Sequence, residues 1–194
     1  QHFLINVMSV FSPDTFNELS HFMGTNPLVQ FLLQPVLIAG VLFHFIMGFV
    51  LELQNRKARP VGYAAYNGGA NAKWASRNMI LSGVVILLFL GLHFYDFWIP
   101  EIAHKYIHFA PEDPTRYYPE LRHKFVDPVR TGLYSLSFIF LALHLNHGFQ
   151  SAFQSVGFNY KKYTPALKTI GKWYSILIPL GFVFIALYHH FQQL

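Results

Sequence analysis

LVQFLLQPVLIAGVLFHFIMGFVLEL, residues 28–53, is interrupted by only four strongly polar side chains, Gln30, Gln34, His44 and Glu52. The hydrocarbon core of a bilayer is crossed by about 20 mostly apolar residues in helical form. A run this long exceeds any ordinary strand, and without water to satisfy its backbone it must be helical. Three more runs of the same kind follow: Asn78 to Ile99, read as stopped by Pro100, Val129 to Val156, and Gly171 to His190. Pro35 and Pro179 fall inside spans, where they are expected to kink the helix and not end it.

Residues 1–10, QHFLINVMSV, are apolar and helix-like but only half a span long, with no signal-peptide pattern. The chain is therefore expected to begin partway through a membrane helix. The expected fold class is all-α: a transmembrane helix bundle of five spans, the first partly present, forming a single domain over residues 1–194.

Composition agrees. The chain is 53% hydrophobic and only 12% charged, where a soluble domain carries about 25% charged residues. It has no cysteine, which excludes disulfides, covalently attached haem and thiolate-held iron–sulfur clusters within it. Although the net charge is +5, the basic residues sit in short loops between apolar spans, and nucleic acid is not expected as a partner.

Those basic residues set the orientation. Arg56, Lys57, Arg59, Lys73 and Arg77 follow residues 28–53, and Lys161, Lys162, Lys168 and Lys172 lie around the last connection, neither group containing an acid. Both regions are expected on the cytoplasmic side. The 97–130 segment mixes five basic residues with Glu101, Glu112, Asp113, Glu120 and Asp127. It is read as outer, carrying short interfacial helices. Trp74, Trp98 and Trp173 fall near expected interfaces, as in any aromatic belt.

Within this frame the histidines stand out. An ionisable side chain inside a membrane is a functional-site candidate by default, and His2, His44, His93 and His144 lie one to a span. His44 and His144 come late in outside-to-inside spans and so belong to the cytoplasmic half; His2 and His93 belong to the outer half. At 1.5 Å per residue the two levels are roughly 10–15 Å apart. Two facing imidazoles at each level would suit two b-type haems, one on His44 and His144, the other on His2 and His93.

Gly48 and Gly148 each follow a candidate ligand by four residues, on the same helix face, where a flat macrocycle needs a missing side chain. Gly83 and Gly91 offer the same on the His93 helix, and Ser82 is placed to bond a haem propionate or a neighbouring helix. His147 is an alternative to His144, although the glycine at plus four favours His144. His189 and His190 are expected at the interface, and His21, His104, His108 and His123 in solvated outer loops, where zinc would be conceivable without a diagnostic spacing. Gly68-Gly69 reads as a flexible point. The chain shows no phosphate-binding loop, nucleophile–base motif or nucleotide fingerprint.

Taken in order, several elements resemble the di-haem cytochrome b that anchors succinate:quinone oxidoreductases (succinate dehydrogenase and fumarate reductase). They are His2-Phe-Leu-Ile-Asn6, Phe16-Asn17 before His21-Phe22-Met23, His44-Phe-Ile-Met-Gly48, Ser82-Gly83 upstream of His93, and His144-Leu-Asn-His-Gly148. The segment Leu53-Gln-Asn-Arg-Lys-Ala-Arg59 also matches the family's cytoplasmic boundary. The resemblance implies two haem b groups, the proximal on His44 and His144 and the distal on His2 and His93. It also implies a flavoprotein subunit and an iron–sulfur subunit on the cytoplasmic side of the inner membrane, and a membrane quinone, menaquinone for this anchor type, as substrate. Some members carry a glutamate two residues before the fourth ligand, proposed for proton transfer; here that position is Ala142. Two competing readings are a di-haem subunit of another membrane dehydrogenase or an ascorbate-type reductase, and a haem-free transporter or assembly protein.

Overall fold

The computed structural model describes residues 1–58, 78–157, 160 and 162–193, and among these it is helical without a strand. Arg59, Gly68, Gly69, Lys73, Trp74, Arg77 and Lys161 lie outside the described residues. The elements are α1 (His2–Phe11), α2 (Pro13–Thr25), α3 (Val29–Lys57), α4 (Met79–Ile107), α5 (Tyr117–Lys124), α6 (Pro128–Ser155) and α7 (Thr164–Phe191). Helices α3, α4, α6 and α7 are long and apolar enough to cross a membrane, whereas α1 is apolar but shorter. The five expected spans are thus four full-length helices and one short one.

Local chemistry sets the breaks. Ser12 leaves the helix with φ −150° and caps α2 by accepting from the Thr15 amide at 3.2 Å, with Pro13 in the first turn. The Asn26 side chain accepts from the amides of Leu28 and Val29 at 3.0 and 3.3 Å, turning the chain into α3. Asp127 caps α6 through the Val129 amide at 2.9 Å, again with a proline in the first turn.

Pro100 does not stop the second long helix, contrary to the sequence expectation. A π turn over Phe94–Trp98 comes just before it, and α4 runs on to Ile107. A proline ring clashes with the carbonyl four residues back, here Asp96, which lies inside that wider turn. Pro35 is accommodated the same way, behind a π turn over Val29–Leu33. Pro179 lies inside α7 with no such turn. Helix α7 also starts at Thr164, ahead of the expected Gly171, because Pro165 suits a first helical turn and the polar residues after it continue the helix beyond the apolar stretch.

Helices α6 and α7 pack along each other, α4 lies on α6, and α1 lies on α7 and α2. The core is aromatic: Phe16, Leu121, Phe125, Tyr134, Phe138 and Ala186 are buried together, with Phe89 and Phe182 against them. Two glycines permit close approach, Gly171 beneath the Phe149 ring and Gly181 beneath Phe3. The α-helical part of α3, Gln34–Lys57, buries no residue. The outer end is tied by ion pairs of Glu101 with Lys105 and Arg116, and by Arg116 with Glu120 at 2.9 Å. Burial lowers the Arg116 pKa, but its hydrogen bonds to these glutamates outweigh this and hold it above its usual range. Burial, with Glu101 beside it, pushes the Tyr117 hydroxyl up to about 12.

The α1–α7 contact has a direct test. Gly181→Leu drives a side chain into Phe3 and should cost about 1–3 kcal/mol, read as a lower Tm of the detergent-solubilised protein. Adding Phe3→Ala should recover part of the loss, since the two positions share one contact.

Candidate functional site

The four membrane histidines meet as two pairs. His44 on α3 faces His144 on α6 with ring centroids 6.2 Å apart and planes at 86°. His2 on α1 faces His93 on α4 at 5.8 Å and 81°. The pairing by level expected from topology is therefore the pairing by contact. Among the described residues no hydrogen bond reaches either ring nitrogen of His44 or His93, and His93 Nδ1 is sealed from solvent without a partner.

Each remaining imidazole has a neighbour that orients it. Ser82 Oγ donates to the Met79 carbonyl at 2.9 Å and lies 3.1 Å from His144 Nδ1. With its one proton on Met79, the hydroxyl accepts the His144 Nδ1 proton, leaving Nε2 bare. A neutral ring with one nitrogen held and the other free is the form in which histidine binds a metal. Ser82 thus serves a helix neighbour, one of its two expected roles. Among the described residues His147 makes neither a ring contact nor a hydrogen bond, whereas His144 meets His44 on the opposing helix. The Asn6 side chain bonds the His2 carbonyl at 2.9 Å and lies 3.4 Å from His2 Nδ1.

The glycines divide. A Cβ on Gly48 or Gly91 would meet nothing within 4 Å, so both leave open space on the histidine-bearing helices. Gly83 lies against His144, where a Cβ would sit 3.7 Å from Cε1, and Gly148 lies against Met79 at 3.6 Å. Gly148 is therefore a helix-packing position here, not an open one.

Apolar rings pack against the His2–His93 pair. Phe89, Phe97 and Tyr134 surround His93 at centroid distances of 5.8, 5.2 and 6.3 Å, and Phe182 lies 5.8 Å from His2. Ala142 lines a cavity of about 140 Å³ with Phe138, Ile139, Ile176, Pro179, Leu180 and Val183. No member of that lining can carry a proton.

Two features escaped the sequence reading. His189, expected at the interface, is fully buried, with Nε2 2.8 Å from Ser9 Oγ. Ser9 donates to the Asn6 carbonyl at 2.6 Å, so it accepts from His189, which joins α7 to α1. Ser9 was the available signal, a small polar residue inside an apolar run. Asp96, one turn beyond His93, is the second. It is 1% exposed and accepts from the Tyr134 hydroxyl at 3.0 Å, with Arg130 Nε at 3.4 Å and Lys124 Nζ at 3.9 Å. A lone acid in an apolar run was itself the signal.

Of the outer histidines, His108 and His123 are exposed as expected, while His21 and His104 are half-buried. His190 Nδ1 bonds the Phe125 carbonyl at 2.8 Å. Among the described residues no three His, Asp or Glu side chains converge as a metal cluster. Comparison of the chain with protein-family models, curated proteins and solved structures gives no match.

Ser9→Ala removes the one hydrogen-bond partner that the described residues give the buried His189 imidazole. It should destabilise the protein by about 1–3 kcal/mol, measured as a drop in Tm, and His189→Leu in the same background should add little further loss.

Proposed function

We propose that this chain is a membrane-anchoring, electron-transferring cytochrome b subunit that holds two haem b groups, His44 and His144 gripping one and His2 and His93 the other. One observation carries the reading. An imidazole nitrogen binds a first-row metal at about 2 Å, so two rings on opposite faces of one iron have centroids ~6 Å apart. The two separations here are 6.2 and 5.8 Å. Aromatic edge contacts also occur at such distances, but here both pairs consist of histidines, and His44 and His93 make no competing hydrogen bond.

Haem held by His44 with His144 and by His2 with His93 would supply one-electron relay. The residues do the rest. Ser82 keeps the His144 proton on Nδ1; Gly48 and Gly91 leave room beside their helices; Phe89 and Phe97 pack against His93, and Phe182 against His2.

The ordered motifs favour a succinate:quinone oxidoreductase over another dehydrogenase. In that setting the chain sits in the inner membrane and receives electrons from an iron–sulfur subunit, itself served by a flavoprotein, on the cytoplasmic side. It passes them to a quinone, menaquinone by the resemblance. With an apolar lining around Ala142, nothing supports a proton route through that position.

The test is haem content of the purified complex by reduced-minus-oxidised spectra. Two haems per chain are expected, falling to one in His44→Ala and one in His93→Ala, and staying at two in His147→Ala. Ser82→Ala should retain two haems but bind the inner one about 10–100-fold more weakly, the usual cost of losing an orienting partner. Absence of a Soret band in the intact complex refutes the haem reading. Reduction of the haems by succinate through a co-purifying flavoprotein distinguishes this dehydrogenase from others.

A further inference from the structure

We propose that Asp96 sets the reduction potential of the outer redox site, holding it below the value that His2 and His93 alone would give. This rests on the reading of that pair as haem ligands. Asp96 follows His93 by three residues, inside the π turn over Phe94–Trp98. Tyr134 connects them physically, with its ring packed against His93 and its hydroxyl donating to Asp96. Arg130 Nε and Lys124 Nζ lie 3.4 and 3.9 Å from the Asp96 carboxylate oxygens.

The charges around the outer site are unequally screened. The Asp96 side chain has no solvent exposure, whereas Arg130 and Lys124 keep 28% and 23% of theirs. Water therefore damps the two cations, while the acid acts through apolar rings of low dielectric. An iron that is oxidised carries one more positive charge than when reduced, so a fixed negative charge nearby favours the oxidised form. Among the described residues Asp96 Oδ1 is buried and accepts no hydrogen bond, with the Lys124 ammonium 3.9 Å away as its counter-charge.

The experiment is a potentiometric titration of haem absorbance in the intact complex with dithionite and ferricyanide, the two waves assigned with the His44→Ala protein. Asp96→Asn should raise the outer midpoint by on the order of tenfold in the reduction equilibrium, about 59 mV for one electron, and leave the inner one in place. Asp96→Glu should restore it, and Arg130→Gln should lower it. Two haems with an unmoved outer midpoint in Asp96→Asn overturn the proposal, as does an equal shift of both waves. If Asp96→Asn loses its outer haem, Arg130→Gln decides alone, and no downward shift there overturns the proposal. A wild-type complex with fewer than two haems refutes the underlying two-haem reading, and this inference falls with it.

Discussion

An imidazole inside a membrane-spanning bundle has no water to bond, and that constraint organises much of this structure. Burying a polar group without a partner costs several kcal/mol in a hydrocarbon-like medium. The chain answers it in two ways. His189 is satisfied internally by Ser9, which joins α7 to α1. Among the described residues no hydrogen bond reaches the ring nitrogens of His93 or of the exposed His44; each instead faces another histidine across a helix pair, with ring centroids 5.8 and 6.2 Å apart. The contrast separates a histidine that joins helices from the pairs that the proposed reading assigns to haem.

The helices that carry these residues depend on how proline is handled. Three of the long helices contain an interior proline, and at two of them, Pro35 and Pro100, a π turn lies immediately upstream. The turn before Pro100 also contains Asp96, so the irregularity that lets α4 continue is the same one that places a carboxylate beside the outer pair. Around it, Tyr134 serves both the aromatic core and the charge cluster, which couples packing to electrostatics at that level of the bundle.

Much of this was legible in the sequence because its signals are local. Four apolar runs of span length became four helices of span length, and the alternation of direction fixed by basic loops sorted the histidines into the pairs that touch. What was missed depended on tertiary contact. Pro100 looked like a stop because the compensating π turn has no sequence signature. His189 looked interfacial because only the packing of α1 against α7 buries it. Gly148 carries the spacing of an open face, yet Met79, from a distant part of the chain, fills that space. Asp96 was passed over although an acid in an apolar run is a signal in its own right.

The account stands or falls on whether the two histidine pairs hold iron. Low-temperature electron paramagnetic resonance of the oxidised complex tests this directly, because imidazole planes near 90° to each other, here 81° and 86°, give strongly anisotropic low-spin ferric signals. Two such signals are expected in the wild type and one in the His44→Ala protein. A spectrum without low-spin ferric haem, or one in which His44→Ala leaves both signals unchanged, would contradict the account.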